Sequence, residues 1–203
     1  MRADTRLSLI HDDGSSETMA MERWMDAASG EDLEVLELAS SPVLDVGCGP
    51  GRHAAALARS GVAVLGIDVV PLAVQLARRQ GACALQRSVF DRVPGAGRWS
   101  SLLLLDGNIG IGADPRALLK RARELLAPDG RVLAEVAPPG QRSCDLTLCL
   151  QVGGKPTAWL PWAQVSAMDI NRLASESGFR ARRVWARGER WFAWLDSCSG
   201  GVQ

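Results

Sequence analysis

Three glycines and one acid are spaced as they would be in a loop that holds a nucleoside. Gly47, Gly49 and Gly51 follow the apolar run 43–46 and precede an alanine-rich stretch, which predicts a strand, a tight loop and the start of a helix. A second apolar run begins at residue 62 and ends in Asp68. In open α/β sheets, such glycines let the backbone approach a ligand, and an acid at the next strand end accepts hydrogen bonds from ribose hydroxyls. The pattern therefore predicts a nucleoside site at one edge of a sheet.

The loop differs from the loop of dinucleotide-binding proteins. Its glycines form the pattern G-x-G-x-G, and Asp45 precedes them at the end of the strand, whereas dinucleotide loops read G-x-G-x-x-G. Together with Asp68, this pattern resembles that of the class I S-adenosylmethionine-dependent methyltransferases. The resemblance is close over residues 40–137 and looser towards the C-terminus. Residues 106–112 and 161–163 resemble a small actinobacterial-type subgroup of that family.

The resemblance implies S-adenosylmethionine as the cofactor. Asp68 would take the ribose, and Val69 would flank the adenine. The amino edge of the base would meet Asp91 or the backbone of Phe90, and Asp45 would anchor the methionine portion directly or through water. The residues that the resemblance assigns to the cofactor are Asp45, Gly47, Cys48, Gly49, Gly51, Asp68, Val69, Phe90, Asp91, Asp106 and Gly107. The alternatives are a tight turn without a ligand for the glycines and a solvated turn residue for Asp91.

Asn108 is a candidate for a catalytic role. Methyl transfer from a sulfonium requires the nucleophile, the methyl carbon and the sulfur to be aligned in a dry site. Asn108 follows the predicted fourth strand at the carboxyl edge, where such sheets bind ligands. Related enzymes that methylate exocyclic nitrogens of bases carry Asp or Asn here, followed by two prolines and an aromatic residue, but Ile109 follows Asn108. This difference favours a small-molecule acceptor. The alternative role of Asn108 is to tolerate a left-handed turn.

Two histidines could exchange a proton near neutral pH. His11 belongs to the N-terminal segment that, in the family the sequence resembles, folds over the cofactor, and a base there would assist a phenolic nucleophile. His53 lies in the first turn after the glycine loop, where most residues lie on the helix surface. His11 is therefore the candidate general base. The alternative is a solvated turn residue, because Asp12 and Asp13 follow it.

The aromatic residues are mostly tryptophan, with seven tryptophans and no tyrosine. Trp24, Trp159 and Trp162 lie in the two segments that could cover the site. An indole offers a flat apolar wall to an aromatic acceptor and attracts a sulfonium. We therefore expect these three side chains to line an acceptor pocket beside Asn108, with core packing as the alternative.

The remaining pattern places these residues on an α/β fold. Apolar runs alternate with helical stretches as far as residue 136, and the runs 179–185 and 190–195 flank a turn at Gly188. With the resemblance, this alternation predicts a Rossmann-like three-layer sandwich. Its sheet would have seven mostly parallel strands, the last of them antiparallel.

The chain is expected to form a single methyltransferase domain in four parts. The parts are an N-terminal cap segment (1–40), a cofactor-binding core (41–137), an irregular substrate-side insertion (138–165) and a closing helix and hairpin (166–203). Two short helices broken near Gly30 are expected within 17–39. The stretch 138–162 lacks helical periodicity and is expected to be irregular, with one hairpin at most.

Composition narrows the partners and the compartment. Lysine plus arginine equals aspartate plus glutamate at 23 each, so no net charge attracts nucleic acid or an anionic membrane. The five cysteines are scattered, as suits reduced thiols, and they form no metal-ligand spacing. The N-terminus lacks a leader-like apolar stretch, and no apolar run could cross a membrane. We therefore expect a cytoplasmic protein without a metal, membrane or nucleic-acid partner.

Together these observations predict an enzyme that transfers a methyl group from S-adenosylmethionine to a small-molecule acceptor. An oxygen nucleophile in specialised metabolism is the expected case. One alternative is a non-catalytic domain that binds S-adenosylmethionine, since its cofactor site would look the same. The other is an NAD-dependent oxidoreductase, against which the early third glycine and the missing tyrosine of a Tyr-x-x-x-Lys relay both argue. The sequence carries no signal for the oligomeric state.

Overall fold

The computed structural model of the protein describes residues 5–11, 15–19, 25–152 and 155–198. These residues form eleven strands and five α-helices. The strands are β1 (Thr5–His11), β2 (Ser16–Met19), β3 (Val43–Val46), β4 (Val64–Asp68), β5 (Ala84–Gln86), β6 (Trp99–Leu104), β7 (Leu126–Val136), β8 (Cys144–Val152), β9 (Lys155–Gln164), β10 (Phe179–Arg187) and β11 (Arg190–Ser197). The helices are α1 (Gly30–Leu36), α2 (Arg52–Arg59), α3 (Pro71–Arg79), α4 (Pro115–Leu125) and α5 (Ile170–Glu176), and a 3-10 turn spans Asn108–Ala113.

The larger sheet has seven strands in the order β10-β11-β7-β6-β3-β4-β5. The strands β3 to β7 pair in parallel because a helix or long loop returns the chain to the same end of the sheet before each new strand. β11 follows β10 through the tight turn at Gly188 and is antiparallel to both of its neighbours, β7 and β10. The predicted α/β fold, with seven mostly parallel strands and an antiparallel last strand, is confirmed.

Helices cover both faces of this sheet, which explains why three successive residues of β6, Leu102–Leu104, are all apolar and buried. Leu102 and Leu104 point to one face, where they pack with residues of α4 and α5. Leu103 points to the other face and packs with residues of α1 and α2. The alternation of successive side chains thus places two separate cores on the two sides of the sheet.

A second sheet of four antiparallel strands, in the order β2-β1-β8-β9, corrects the prediction for residues 138–165. That segment was expected to be irregular with one hairpin at most; the hairpin is present, but its strands β8 and β9 take up most of the segment, which is therefore not irregular. Pro156 and Pro161 concealed the strand signal, and both lie in β9, an edge strand, where proline is tolerated. β1 pairs with the free edge of β8 in this hairpin, with Ser8 opposite Cys149.

The N-terminal segment also differs from its prediction. Residues 16–19 form β2 rather than helix, and residues 20–24 lie outside the described part of the chain. Met25 is helical, residues 26–29 are not, and Gly30 begins α1, so the predicted break lies just before Gly30. The reason is local, because the Ser29 side chain accepts a hydrogen bond from the Asp32 backbone and the Asp32 carboxylate accepts one from the Ser29 backbone. This reciprocal capping fixes where α1 starts.

Two features require glycine at position 51: its left-handed backbone conformation and its close packing against α3. Replacement by alanine should therefore cause both backbone strain and a steric clash. The φ of Gly51 is +88°, and an added Cβ would lie 2.6 Å from the Cβ and 2.9 Å from the Cα of Ala77 in α3. Gly61 has a φ of +78° with no heavy atom within 4 Å of an added Cβ, so Gly61→Ala is a matched control. We expect Gly51→Ala to lower the free energy of unfolding by about 1–3 kcal/mol more than Gly61→Ala does. Equal losses in chemical denaturation would show that α2 and α3 are not in tight contact here.

Candidate active site

A cavity of about 620 Å³ lies where the carboxyl ends of the parallel strands meet the β8–β9 hairpin. The strand ends supply Gly47, Asp68 and Glu135, and the hairpin supplies Leu148 and Trp162. Parallel strands direct their carboxyl ends to one edge of the sheet, which is why residues far apart in sequence meet there. The cavity is thus in the place that the glycine loop and Asp68 predicted.

The glycines of the loop have different structural roles. An added Cβ on Gly47 would lie 2.8 Å from the amide nitrogen of Asn108, so only glycine fits against that side chain. Gly49 donates its backbone N–H to the Asp68 carboxylate over 2.8 Å. Gly47 lines the cavity, whereas Gly51 packs against α3. Cys48, also predicted to contact the cofactor, is buried, and its sulfur would lie 2.7 Å from a Cβ added to Gly66.

Asp68 lines the cavity at the end of β4, as predicted. Its two carboxylate oxygens accept backbone hydrogen bonds from Gly49 and Val70, each over 2.8 Å. Burial raises the pKa of this carboxyl, and the hydrogen bonds from Val70 and Gly49 oppose that effect. Asp68 therefore fixes the glycine loop to the end of β4 and still presents its carboxylate to the cavity.

Asp45 lies near the end of β3, before the glycine loop, but it does not line the cavity, so its contact with the methionine portion of the cofactor stays a prediction. Its residue is 1% exposed, beneath the glycine loop, and its Oδ2 atom has no hydrogen-bond partner among the described residues. Burial raises the pKa of Asp45 to about 6, against the opposing effect of nearby His53, and the Asp106 carboxylate raises it further. A direct contact between Asp45 and a ligand in the cavity would need the loop to move.

The Asn108 side chain is hydrogen-bonded to the backbone at the start of the glycine loop. Its amide nitrogen donates to the carbonyl oxygens of Val46 and Gly47, each over 2.9 Å. The left-handed residues of this turn are Asp106, with φ of 54°, and Gly107, with φ of 76°, so Asn108 is not needed for the left-handed geometry. Asn108 lines the cavity, but its described contacts make it a residue that positions the loop. Its catalytic role stays a prediction.

One end of the cavity is open and apolar. Val69 and Phe90 line it, and about half of each side chain is exposed. Ser88 and Val89 also line this end, whereas Asp91 does not line the cavity and is exposed. Ser88 was not predicted as a cavity residue. Its position, two residues past the end of β5 at the carboxyl edge of the sheet, could have indicated it.

The two tryptophans of β9 lie on opposite faces of the smaller sheet, because they are three residues apart in a strand. Trp162 lines the cavity, as predicted, but Trp159 does not and is 58% exposed. Trp24 lies outside the described residues. The structure places the backbone of His11 in β1, opposite Leu146, and does not describe its side chain. The roles predicted for Trp24 and His11 remain predictions.

Trp191 and Arg190 are cavity residues that the sequence reading missed. Trp191 pairs with Val136 across the antiparallel contact of β11 with β7. Because β11 runs opposite to β7, its first residues lie at the edge where β7 ends. The predicted antiparallel last strand was therefore a signal that could have found both residues.

A buried network of charges lies beside the cavity and was not predicted. Its centre is Asp32, which is fully buried and bonded to Arg52 and to Arg190, the latter over 2.6 Å. His53 Nε2 lies 3.3 Å from the same carboxylate. Burial raises the pKa of Asp32, but the hydrogen bonds from His53 and Arg190 outweigh burial and hold it well below its usual range. His53 is thus a buried partner of Asp32 rather than a surface residue.

The network extends from Asp32 to the wall of the cavity. Arg52 donates to the Asp106 carboxylate over 2.5 Å, and Arg190 donates through two nitrogens to Glu135, over 2.7 and 2.9 Å. Glu135 also accepts the backbone N–H of Asp106 over 2.8 Å. These bonds hold the left-handed turn at Asp106 against the end of β7, and so connect α1 and α2 to the cavity.

The described ranges contain neither a candidate metal site nor a candidate membrane-spanning helix. Their His, Cys, Asp and Glu residues form no cluster of three that could hold a metal ion. No helix among them is long and apolar enough to cross a membrane.

Residues 43–130 match a protein family described as a methyltransferase domain. An uncharacterized protein of Mycobacterium tuberculosis is 29% identical over 191 residues, which cover 89% of this chain and 65% of that protein. A ubiquinone biosynthesis O-methyltransferase of Acinetobacter baumannii is 32% identical over 118 residues, covering 54% of this chain and 46% of that enzyme. The chain thus spans less than two thirds of the length of these relatives.

Two solved structures share the fold. An S-adenosylmethionine-dependent methyltransferase of Bacteroides fragilis, in complex with S-adenosylhomocysteine, superposes with a TM-score of 0.82 at 22% identity, covering 97% of this chain and 89% of that one. The 1,6-didemethyltoxoflavin-N1-methyltransferase of Burkholderia thailandensis superposes with a TM-score of 0.67 at 20% identity. The superposition covers 87% of this chain and 81% of that one. At these identities the likeness establishes the fold alone. Residues 43–130 are therefore similar to a methyltransferase domain, and the chain has the fold of the S-adenosylmethionine-dependent methyltransferases.

Proposed function

We propose that the protein transfers a methyl group from S-adenosylmethionine to a small-molecule acceptor. The observation that carries the proposal is the single cavity that joins Asp68, Val69 and Phe90 at one end to Trp162 and Trp191 at the other. A nucleoside at the first end would leave the second end for the acceptor. When bound, S-adenosylmethionine supplies an activated methyl group on its sulfonium.

The cofactor end has features that fit this cofactor. Asp68 presents a carboxylate at the position expected for the ribose, and Val69 and Phe90 offer exposed apolar surface on which a base can lie. Oδ2 of Asp45 is buried beneath the loop and has no hydrogen-bond partner in the described part of the chain, which suits a site that is completed by a positively charged ligand nearby. The main task of the chain is then to hold cofactor and acceptor in line and exclude water.

Oxygen is the acceptor atom we propose, in a reaction of specialised metabolism. The ubiquinone biosynthesis relatives support it by their description as O-methyltransferases. The resemblance to a small actinobacterial-type subgroup is supported by the mycobacterial relative, which matches 89% of this chain. The size of the cavity favours a small molecule over a polymer.

A reducing, cytoplasmic location is part of the proposal. Cys48, Cys83, Cys149 and Cys198 are all thiols rather than disulfides. Thiols of this kind are typical of proteins kept in a reducing compartment.

Calorimetry with S-adenosylhomocysteine should test the proposal and the role of Asp68 together. We expect the unmodified protein to bind it, and Asp68→Asn to weaken binding about 10- to 150-fold, or about 1.5–3 kcal/mol, because a charged acceptor for ribose hydroxyls is lost. The control is Asp129→Asn, an exposed site on β7, which should leave the affinity unchanged. Binding of NAD instead of S-adenosylhomocysteine would contradict the proposal.

Turnover separates an enzyme from a non-catalytic binding domain. The formation of S-adenosylhomocysteine should rise above the rate without acceptor when phenols and other small nucleophiles are supplied. Tight cofactor binding with no acceptor-dependent turnover across such a panel would favour the non-catalytic alternative.

A further inference from the structure

We infer that the acceptor is a flat, apolar molecule without a negative charge, and that carboxylates and phosphates are excluded from its end of the cavity. This inference rests on the proposed function, since it specifies the acceptor for the same site. It follows from two independent features of the acceptor end, the apolar surface of the hairpin and the absence there of an uncommitted cation among the described lining residues.

The apolar surface comes from one face of the β8–β9 hairpin. Leu146 pairs with Trp162, and Leu148 pairs with Leu160, so the four side chains form a continuous patch over the cavity. Leu146 and Leu148 are each only 7% exposed. Val136, at the end of β7, also lines the cavity. An aromatic acceptor would be sandwiched between apolar walls, with the Trp162 indole available for ring contact.

The positive charges on the described cavity wall belong to Arg87 and Arg190. Arg87 follows β5, so it lies at the cofactor end, and it is exposed. Arg190 lies at the acceptor end, and each of its three nitrogens already donates to a carboxylate: Nε and one terminal nitrogen to Glu135, and the other terminal nitrogen to Asp32. Its charge is therefore already paired with two acids, and an acceptor carboxylate would have to compete with them.

The same end carries acids instead. Glu135, Asp106 and Glu189 all line the cavity; Glu135 is paired with Arg190 and Asp106 with Arg52, whereas Glu189 is exposed. A negatively charged acceptor would therefore lose its hydration without gaining a cation that is free of a carboxylate, and Glu189 would repel it. An uncharged or cationic acceptor would meet neither cost. The surface thus selects against anions as well as for apolar rings.

Paired probes of equal shape can test this inference on protein saturated with S-adenosylhomocysteine. We expect 2-naphthol to bind, and 2-naphthoate to bind at least about 30-fold more weakly, when both are titrated by calorimetry. Equal affinities, or tighter binding of 2-naphthoate, would overturn the inference, and so would a failure of both probes to bind. The prior titration with S-adenosylhomocysteine tests the proposed function by itself, so the two failures are distinguishable.

A positive charge placed in the apolar patch should weaken the preference for 2-naphthol over 2-naphthoate. Leu160→Lys puts a cation on the face of β9 that lines the cavity, and it should narrow the naphthol-to-naphthoate ratio by about 10-fold or more. Trp159→Lys puts the same charge on the adjacent residue, which lies on the opposite face and is 58% exposed, and it should leave the ratio unchanged. Melting temperatures and S-adenosylhomocysteine affinity of both variants establish that they are folded. A ratio that changes equally in both variants would contradict the assignment of the patch.

Discussion

Replacing Asp32 with alanine should lower the free energy of unfolding by about 3–5 kcal/mol, because it leaves buried cations without their carboxylate. The carboxylate is fully buried and accepts hydrogen bonds from Arg52 and Arg190, which are themselves 4% and 8% exposed. Chemical denaturation at neutral pH measures the loss. The expected effect is large for a single acid, since exposed ion pairs contribute far less.

Two further variants separate the parts of this effect. Asp32→Asn keeps an oxygen for capping α1 but removes the charge, so it isolates the contribution of the ion pairs. Glu34→Ala removes the exposed partner of Arg187 from the same helix and should cost no more than about 1 kcal/mol. Similar losses in Glu34→Ala and Asp32→Ala would show that the network does not hold α1 in place.

Replacing Asp45 with asparagine should stabilise the protein at neutral pH, by up to about 3 kcal/mol. The folded protein raises the pKa of this carboxyl from its usual 3.8 to about 6, chiefly through burial, so the folded state binds a proton more tightly than the unfolded state does. The Asp45 carboxyl therefore favours folding most below pH 4, and this contribution is lost as the pH rises from about 4 to about 6. Asparagine is uncharged throughout and avoids that loss.

The pH dependence distinguishes this mechanism from ordinary repacking. The difference in unfolding free energy between Asp45→Asn and the unmodified protein should be near zero at pH 4 and should reach its full size above pH 6. Asp129→Asn, at an exposed site, should show no such dependence. A stabilisation that is the same at every pH, or a loss at pH 7, would contradict the raised pKa. Loss of S-adenosylhomocysteine affinity in the stabilised variant would assign the buried charge to function.

The parts that sequence predicted well are those built from contacts between neighbours along the chain. The strand β3, the glycine loop and α2 are continuous, and Asp68 ends the next strand, so residue types and spacing sufficed. The capping box of Ser29 and Asp32 is equally local, and the break expected near Gly30, a poor helix former, falls at residues 26–29.

The parts that were missed depend on distant partners. β8 pairs with β1, which lies near the other end of the sequence. The hydrophobic periodicity within 138–165 could not reveal a partner so far away in sequence. Asp32 has the pattern of an ordinary acid in the first turn of a helix, and nothing near it in sequence indicates Arg190. The sequence predicts the same pocket-lining role for Trp159 and Trp162. Both lie in β9, where a separation of three residues puts their side chains on opposite faces.

The position of β11 between β7 and β10 has a consequence for synthesis on the ribosome. Arg190 is separated from Asp32 by 158 residues, and it also neutralises Glu135. Until β11 emerges, the nascent chain carries these two acids without that cation, and β7 lacks the neighbour that separates it from β10. Pairings this remote in sequence form slowly, and unpaired strand edges are prone to aggregation. Interrupting translation just before β11 should therefore yield a chain that chaperones retain, whereas release after β11 permits the interior charges to be matched.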